Sequence, residues 1–171
     1  MRSRVLQQLD TLARNLVPLL LTVALLLAGI LPLHITMLQS VAPLLPLIAV
    51  FYWTLYRPDL MPAVAVFAIG LLQDILVGLP IGVSACVLVC VHAAVNTQRR
   101  FLAGKSFAIL WLGFAVVASA ALLLGWLLTC IYYVTLVTPD RVVFQILTTI
   151  GCFPIFCRLL QRCRLSLAER A

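Results

Sequence analysis

The sequence predicts an all-α integral membrane protein: a single membrane domain built as a bundle of about six transmembrane helices. Three observations carry this. Of the 171 residues, 64% are hydrophobic and 10% are charged, with mean hydropathy +1.18, where a soluble domain carries roughly a quarter charged residues. The apolar residues come in continuous runs of membrane length rather than alternating, and a bilayer core admits only helices or closed barrels. The basic residues, finally, fall very unevenly on alternate loops.

Taken in order, residues 1–15 carry Arg2, Arg4 and Arg14, with Leu6, Leu9, Leu12, Ala13 and Leu16 at helical spacing. That is the pattern of a short interfacial helix. The first span is about 16–35. It is too long for the core of a signal peptide and no small-x-small site follows it closely, so it is expected to stay uncleaved. Ala24 and Ala28 on it form a small-xxx-small pair, a common helix-packing face. The second span, about 44–56, has Pro43 and Pro46 in its first turn, where a missing N–H costs little. It ends in Tyr52, Trp53 and Tyr56, read as an aromatic belt at the membrane interface.

Arg57-Pro58-Asp59 is a charged turn, and Pro58 bars a simple helical continuation. The third span is about 60–77. The fourth, about 81–96, is entered through Gly78-Leu79-Pro80. Gln98–Lys105 reads as a basic loop with Arg99, Arg100 and Lys105. The fifth run, 107–137, is long for one crossing, but no strong turn signal interrupts it. Trp111 and Tyr132 stand about 31 Å apart along a helix, one belt-to-belt distance. It is therefore taken as one tilted or protruding helix. Thr138-Pro139-Asp140-Arg141 is a turn. The sixth span is about 142–160, with Pro154 expected to kink it, and a tail with Arg162, Arg164 and Arg170 follows.

Charge tests this parsing. With both termini cytoplasmic, eleven of the twelve Lys and Arg residues lie inside and only Arg141 lies outside, a strong positive-inside bias. Splitting the fifth run in two would put the basic tail outside. The net charge of +7 is then explained by orientation and by anionic lipid at the inner face. No basic helix interleaved with exposed aromatics appears, so nucleic acid is not expected as a partner.

Few residues invite chemistry. Asp74 is a carboxylate inside an apolar run, about two turns from the outer surface. Such a group faces the bundle or a wet cavity and often marks function. Gly70, Asp74 and Gly78 share one helical face. Either Asp74 is a packing group, capping a neighbouring helix end or pairing with Arg141, or it belongs to an ion or substrate site. With no second intramembrane acid, proton relay has little support, and packing or partner docking is preferred. Gln73 and Gln145 are expected to bond between helices, and His34 and His92 to be packing histidines. Cys86, Cys90, Cys130, Cys152, Cys157 and Cys163 contain no Cys-x-x-Cys pair and are read as small packed thiols. No phosphate loop and no nucleophile–base pair is present, so neither catalysis, metal nor cofactor is expected.

One stretch carries a resemblance. Trp53, Tyr56-Arg57-Pro58, Pro62, Gly70-Leu71-Leu72-Gln73-Asp74 and Gly78-Leu79-Pro80-Ile81-Gly82 resemble the signature of the MreD family, small inner-membrane rod-shape proteins of bacteria. The resemblance implies a non-enzymatic member of the cell-elongation machinery. It would bind MreC and, through it, MreB filaments, the RodA glycosyltransferase and a penicillin-binding transpeptidase, helping to direct lateral peptidoglycan synthesis. It also implies a fold similar to the substrate-binding subunits of energy-coupling-factor transporters, in which the Ala24–Ala28 face would be a docking face. By this resemblance Trp53, Arg57, Pro58, Gly70, Asp74, Gly78, Pro80 and Gly82 form the structural and interaction core.

The main rival is a small solute-binding membrane subunit of such a transporter. It would need polar groups converging in the outward half, for which Asp74, His34, Gln39, Thr129 and Tyr132 are the available liners. A lipid-binding role is a third reading.

Overall fold

A computed structural model describes residues 17–29, 43–102, 104–134 and 140–169, with the backbone alone at residue 141 and at 163–169. Six helices and no strand are present among the described residues. They are α1 (Val17–Gly29), α2 (Leu45–Tyr56), α3 (Ala63–Val77), α4 (Val83–Leu102), α5 (Phe107–Tyr133) and α6 (Asp140–Glu169). A 3-10 turn, Pro58–Leu60, joins α2 to α3. The interfacial helix expected before residue 16, and His34 and Gln39, lie outside the described residues.

Helix α2 is the centre. Eleven of its twelve residues are buried, packed against α4 and α6. A helix that is apolar all round is a core helix or a membrane span, and α2 lies in the core. Around it α4 packs against α3 and α5, and α5 packs against α6. Three rings join α2, α5 and α6. Phe51 meets Phe114 edge-on at 5.1 Å and Phe153 at 5.9 Å, and Phe114 stacks on Phe153 at 4.1 Å between centroids. Such edge and offset contacts add to what ring burial alone contributes.

The outer helices are different. Helix α5 runs unbroken for 27 residues, about 40 Å at helical rise. Among the described residues, it and the segment Val142–Arg162 of α6 are the two helices long and apolar enough to cross a membrane. Both leave large apolar side chains uncovered: Leu112 is 69% exposed, and Val116, Ile131, Phe144, Leu147 and Ile155 are similar. An apolar surface of this extent marks a face made for lipid or for another protein.

Four expectations are corrected. Tyr52 and Trp53 are not a belt at the interface but fully enclosed core residues, Trp53 at 0% exposure; only Tyr56 is half-buried. The reason is that α2 has neighbours on every side, so its last turn has no membrane face. The basic loop after residue 97 is mostly helix: α4 continues to Leu102, carrying Arg99 and Arg100 in its last turn. Arg is a good helix former, and cations favour a helix C-terminus. Gly104, at φ +95°, makes the turn that follows.

Cys86 and Cys90 are exposed on α4 rather than packed, whereas Cys157 is buried. A thiol is apolar enough to sit on either side of a helix in this setting. Ala24 and Ala28 are likewise exposed on α1, while Thr22, Leu25 and Leu26 form its buried face. Size does not sort the two faces, since Leu20 and Leu27 are exposed as well. Helix α6 runs on through Pro154 to Glu169.

Candidate functional site

Three of the buried polar residues, Gln73, Asp74 and Ser84, gather where α3 ends and α4 begins. Helix α3 closes on Gly78, whose φ of +75° is the left-handed conformation that glycine adopts without penalty. The N–H groups of Gly78 and Leu79 both donate to the Asp74 carbonyl, at 2.9 and 3.0 Å. The chain turns through buried Pro80 and through Gly82, at φ +102°, and α4 starts at Val83.

Gly82 occupies the N-cap position of α4, where a Ser, Thr, Asp or Asn side chain would normally accept from the first turn. Glycine has none. Asp74 of α3 supplies it instead. Its Oδ1 accepts from the Ser84 N–H at 2.9 Å and its Oδ2 from the Gly82 N–H at 2.8 Å. One carboxylate thus does both halves of a capping box, which a helix usually draws from its own N-cap and N3 side chains. Asp74 is 0% exposed. The partial positive charge of the α4 N-terminus lies against it.

Next to it, the Gln73 amide donates to Ser84 Oγ at 3.3 Å, a bond between α3 and α4. One turn earlier the two backbones touch. A Cβ placed on Gly70 would stand 2.3 Å from the Ala85 Cα and 2.7 Å from its nitrogen. No side chain fits there, so glycine sets how closely α3 and α4 pack.

The described structure therefore brings Gly70, Asp74, Gly78, Pro80 and Gly82 into one seam. Trp53, Arg57 and Pro58 are not part of it. They lie before α3, whose first seam residue, Gly70, is the eighth of the helix, about 10 Å along it. At that end Arg57 caps α2, its N–H donating to the Trp53 carbonyl at 2.7 Å. Leu60 and Met61 donate back to Arg57 and Pro58. The Arg57 and Asp59 side chains are exposed.

Of the two packing arrangements open to Asp74, capping is the one present; the Arg141 side chain is outside the description. His92 packs as a bonded histidine, its Nδ1 3.0 Å from Thr54 Oγ1 of α2.

Ser84 was missed from the sequence. The available signal was a glycine at a helix start, which demands a capping group from elsewhere.

A cleft of about 410 Å³ opens beside this seam, between α3, α4, α5 and the first turns of α6. Gln73, Ser84, Thr129 and Gln145 are its polar liners. Asp74 is turned away into the α4 cap, and Tyr132 is 65% exposed outside it. Among the described residues no three His, Cys, Asp or Glu side chains come together as a metal site.

Fold and site define an all-helical membrane protein whose buried polar groups close one helix onto the next. The family model for rod shape-determining protein MreD matches residues 10–163. The chain belongs to the MreD family, membrane proteins that act in determining rod shape. No curated protein and no solved structure matches it.

Proposed function

We propose that this protein is a non-enzymatic scaffold of the cell-elongation machinery in the bacterial inner membrane. It crosses six times with both termini cytoplasmic, binds MreC, and so connects to MreB, RodA and a penicillin-binding transpeptidase that build the lateral wall. The observation that carries this reading is the family match over 154 of the 171 residues (10–163). The exposed apolar faces of α5 and α6 support it, since they offer lipid or a partner helix an extended surface. The proposed interaction core comprises Trp53, Arg57, Pro58, Gly70, Asp74, Gly78, Pro80 and Gly82. In this role the seam would act by holding α3 and α4 in the geometry that a partner reads, since Asp74 is itself enclosed.

Co-purification from native membrane tests this directly. MreC is expected to accompany the wild-type protein and to be depleted with Asp74→Ala, with loss of rod shape. Normal rods at normal protein levels in that variant would sink the role given to Asp74. Recovery of a transporter ATPase in place of MreC would sink the scaffold reading in favour of the solute-binding subunit, the alternative that the cleft supports. A reporter active only in the periplasm, fused at Ala171, should be silent.

A further inference from the structure

The cleft beside the α3–α4 seam has an unusual lining. Four of its fifteen residues are polar, none is acidic, basic or histidine, and the rest are apolar or glycine. Its volume is within the range of small-molecule sites. At its wall Gln73 is 4% exposed, and only one head of its amide is engaged, on Ser84. The other head has no partner among the described residues and is itself enclosed, so a small turn of the side chain must bring it to the cleft. Amide oxygen and nitrogen are assigned from the bonds they make, so either an acceptor or a donor is left over. With the amide set as donor, the Ser84 hydroxyl that receives it keeps its own proton to donate. A buried polar head without a partner is destabilising, and a ligand that pairs with it removes that cost.

We infer that this cleft binds an uncharged, hydroxyl-bearing amphiphile drawn from the bilayer, its hydroxyl on Gln73 and Ser84 and its apolar body along α5. A hydroxyl both donates and accepts, so it satisfies Gln73 whichever way the amide is set. Among the described residues the cleft offers a charged headgroup no counter-charge, which disfavours its entry. The apolar majority of the lining, which includes Val87, Leu88 and Leu122, gives the tail a surface that water does not favour. The inference is independent of the MreC reading.

Trp126 lines the cleft and reports on it. The protein is placed in phosphatidylcholine nanodiscs and titrated with a brominated monoacylglycerol. Quenching of Trp126 is taken as the difference from Trp126→Phe. Trp111, on the exposed side of α5, serves as the control for bulk lipid. A parallel titration uses a short brominated diol added from water.

Saturable quenching of Trp126, at mole fractions that leave Trp111 unquenched, is expected. Gln73→Leu should weaken it about 3- to 10-fold, as for one lost hydrogen bond. Gly125→Leu should abolish it by filling the cleft, since a Cβ there meets only Val87 at 3.5 Å. Saturation by the diol alone, with the same response to both variants, would keep the hydroxyl chemistry and overturn the bilayer as its source. Quenching of Trp126 that merely tracks Trp111, or that saturates unchanged in both variants, would overturn the proposal and leave a water-filled cleft. If Gln73→Leu does not fold, Gly125→Leu decides alone.

Discussion

Helices α2 and α5 carry no charged residue between them, and either could pass for a membrane-facing span. In the fold they are opposites. Helix α2 is enclosed on all sides, while α5 turns Leu112, Val116, Leu123, Leu127 and Ile131 outward. In water an apolar surface is itself the reason to go inside. In lipid it is not, because the tails are as apolar as the side chains, and packing quality decides which helix is central. Helix α2 has the close-fitting parts: the Phe51 edge contacts, and Thr54 bonded to His92.

If fit rather than apolarity separates the two helices, substitutions should rank by the packing that they disturb. The largest effect is expected at Gly70, where backbone meets backbone. Gly70→Leu should cost more than about 4 kcal/mol, read as loss of a monodisperse peak in size-exclusion chromatography. Phe51→Ala in α2 should follow at about 3–4 kcal/mol, mostly as cavity cost, seen as a lower melting temperature in detergent.

Asp74→Ala comes next, at about 2–3 kcal/mol, because it strands the Gly82 and Ser84 N–H groups. Asp74→Asn should lose about half as much, keeping one acceptor oxygen. Leu112→Ala on α5 should be smallest, under about 0.5 kcal/mol by the same melting assay. Equal losses for Phe51→Ala and Leu112→Ala would break the comparison and return apolarity as the organising force.

The same contrast explains what could be read beforehand. The hairpin was legible because its signals are polar or conformational. Gly78 and Gly82 sit at positive φ, Pro80 follows a helix end, and Asp74 has a place only where N–H groups wait for it. The closeness at Gly70 was legible in kind, since a glycine on the acid's face invites a backbone. Trp53 was misread because an aromatic at a helix end means a belt only if that end has a membrane face. Neither Trp53 nor Cys86 carries a mark distinguishing lipid from core. Of the cleft only Thr129 was read as a liner. The cleft depends on Gln73, Thr129 and Gln145 meeting from three helices, and their spacing in sequence has no period.

Asp74 bonds to residues only 8 and 10 positions further along the chain. That short reach bears on how the protein is made. Contacts so local close early, before distant segments are available. A carboxylate entering hydrocarbon alone would be expensive, and so would the bare N–H groups of a helix start. Emerging one after the other, α3 and α4 can meet as a pair and cross the threshold of the bilayer with both debts already cancelled. The seam would then be the first piece of this protein to acquire its final shape, and the template on which α5 is laid.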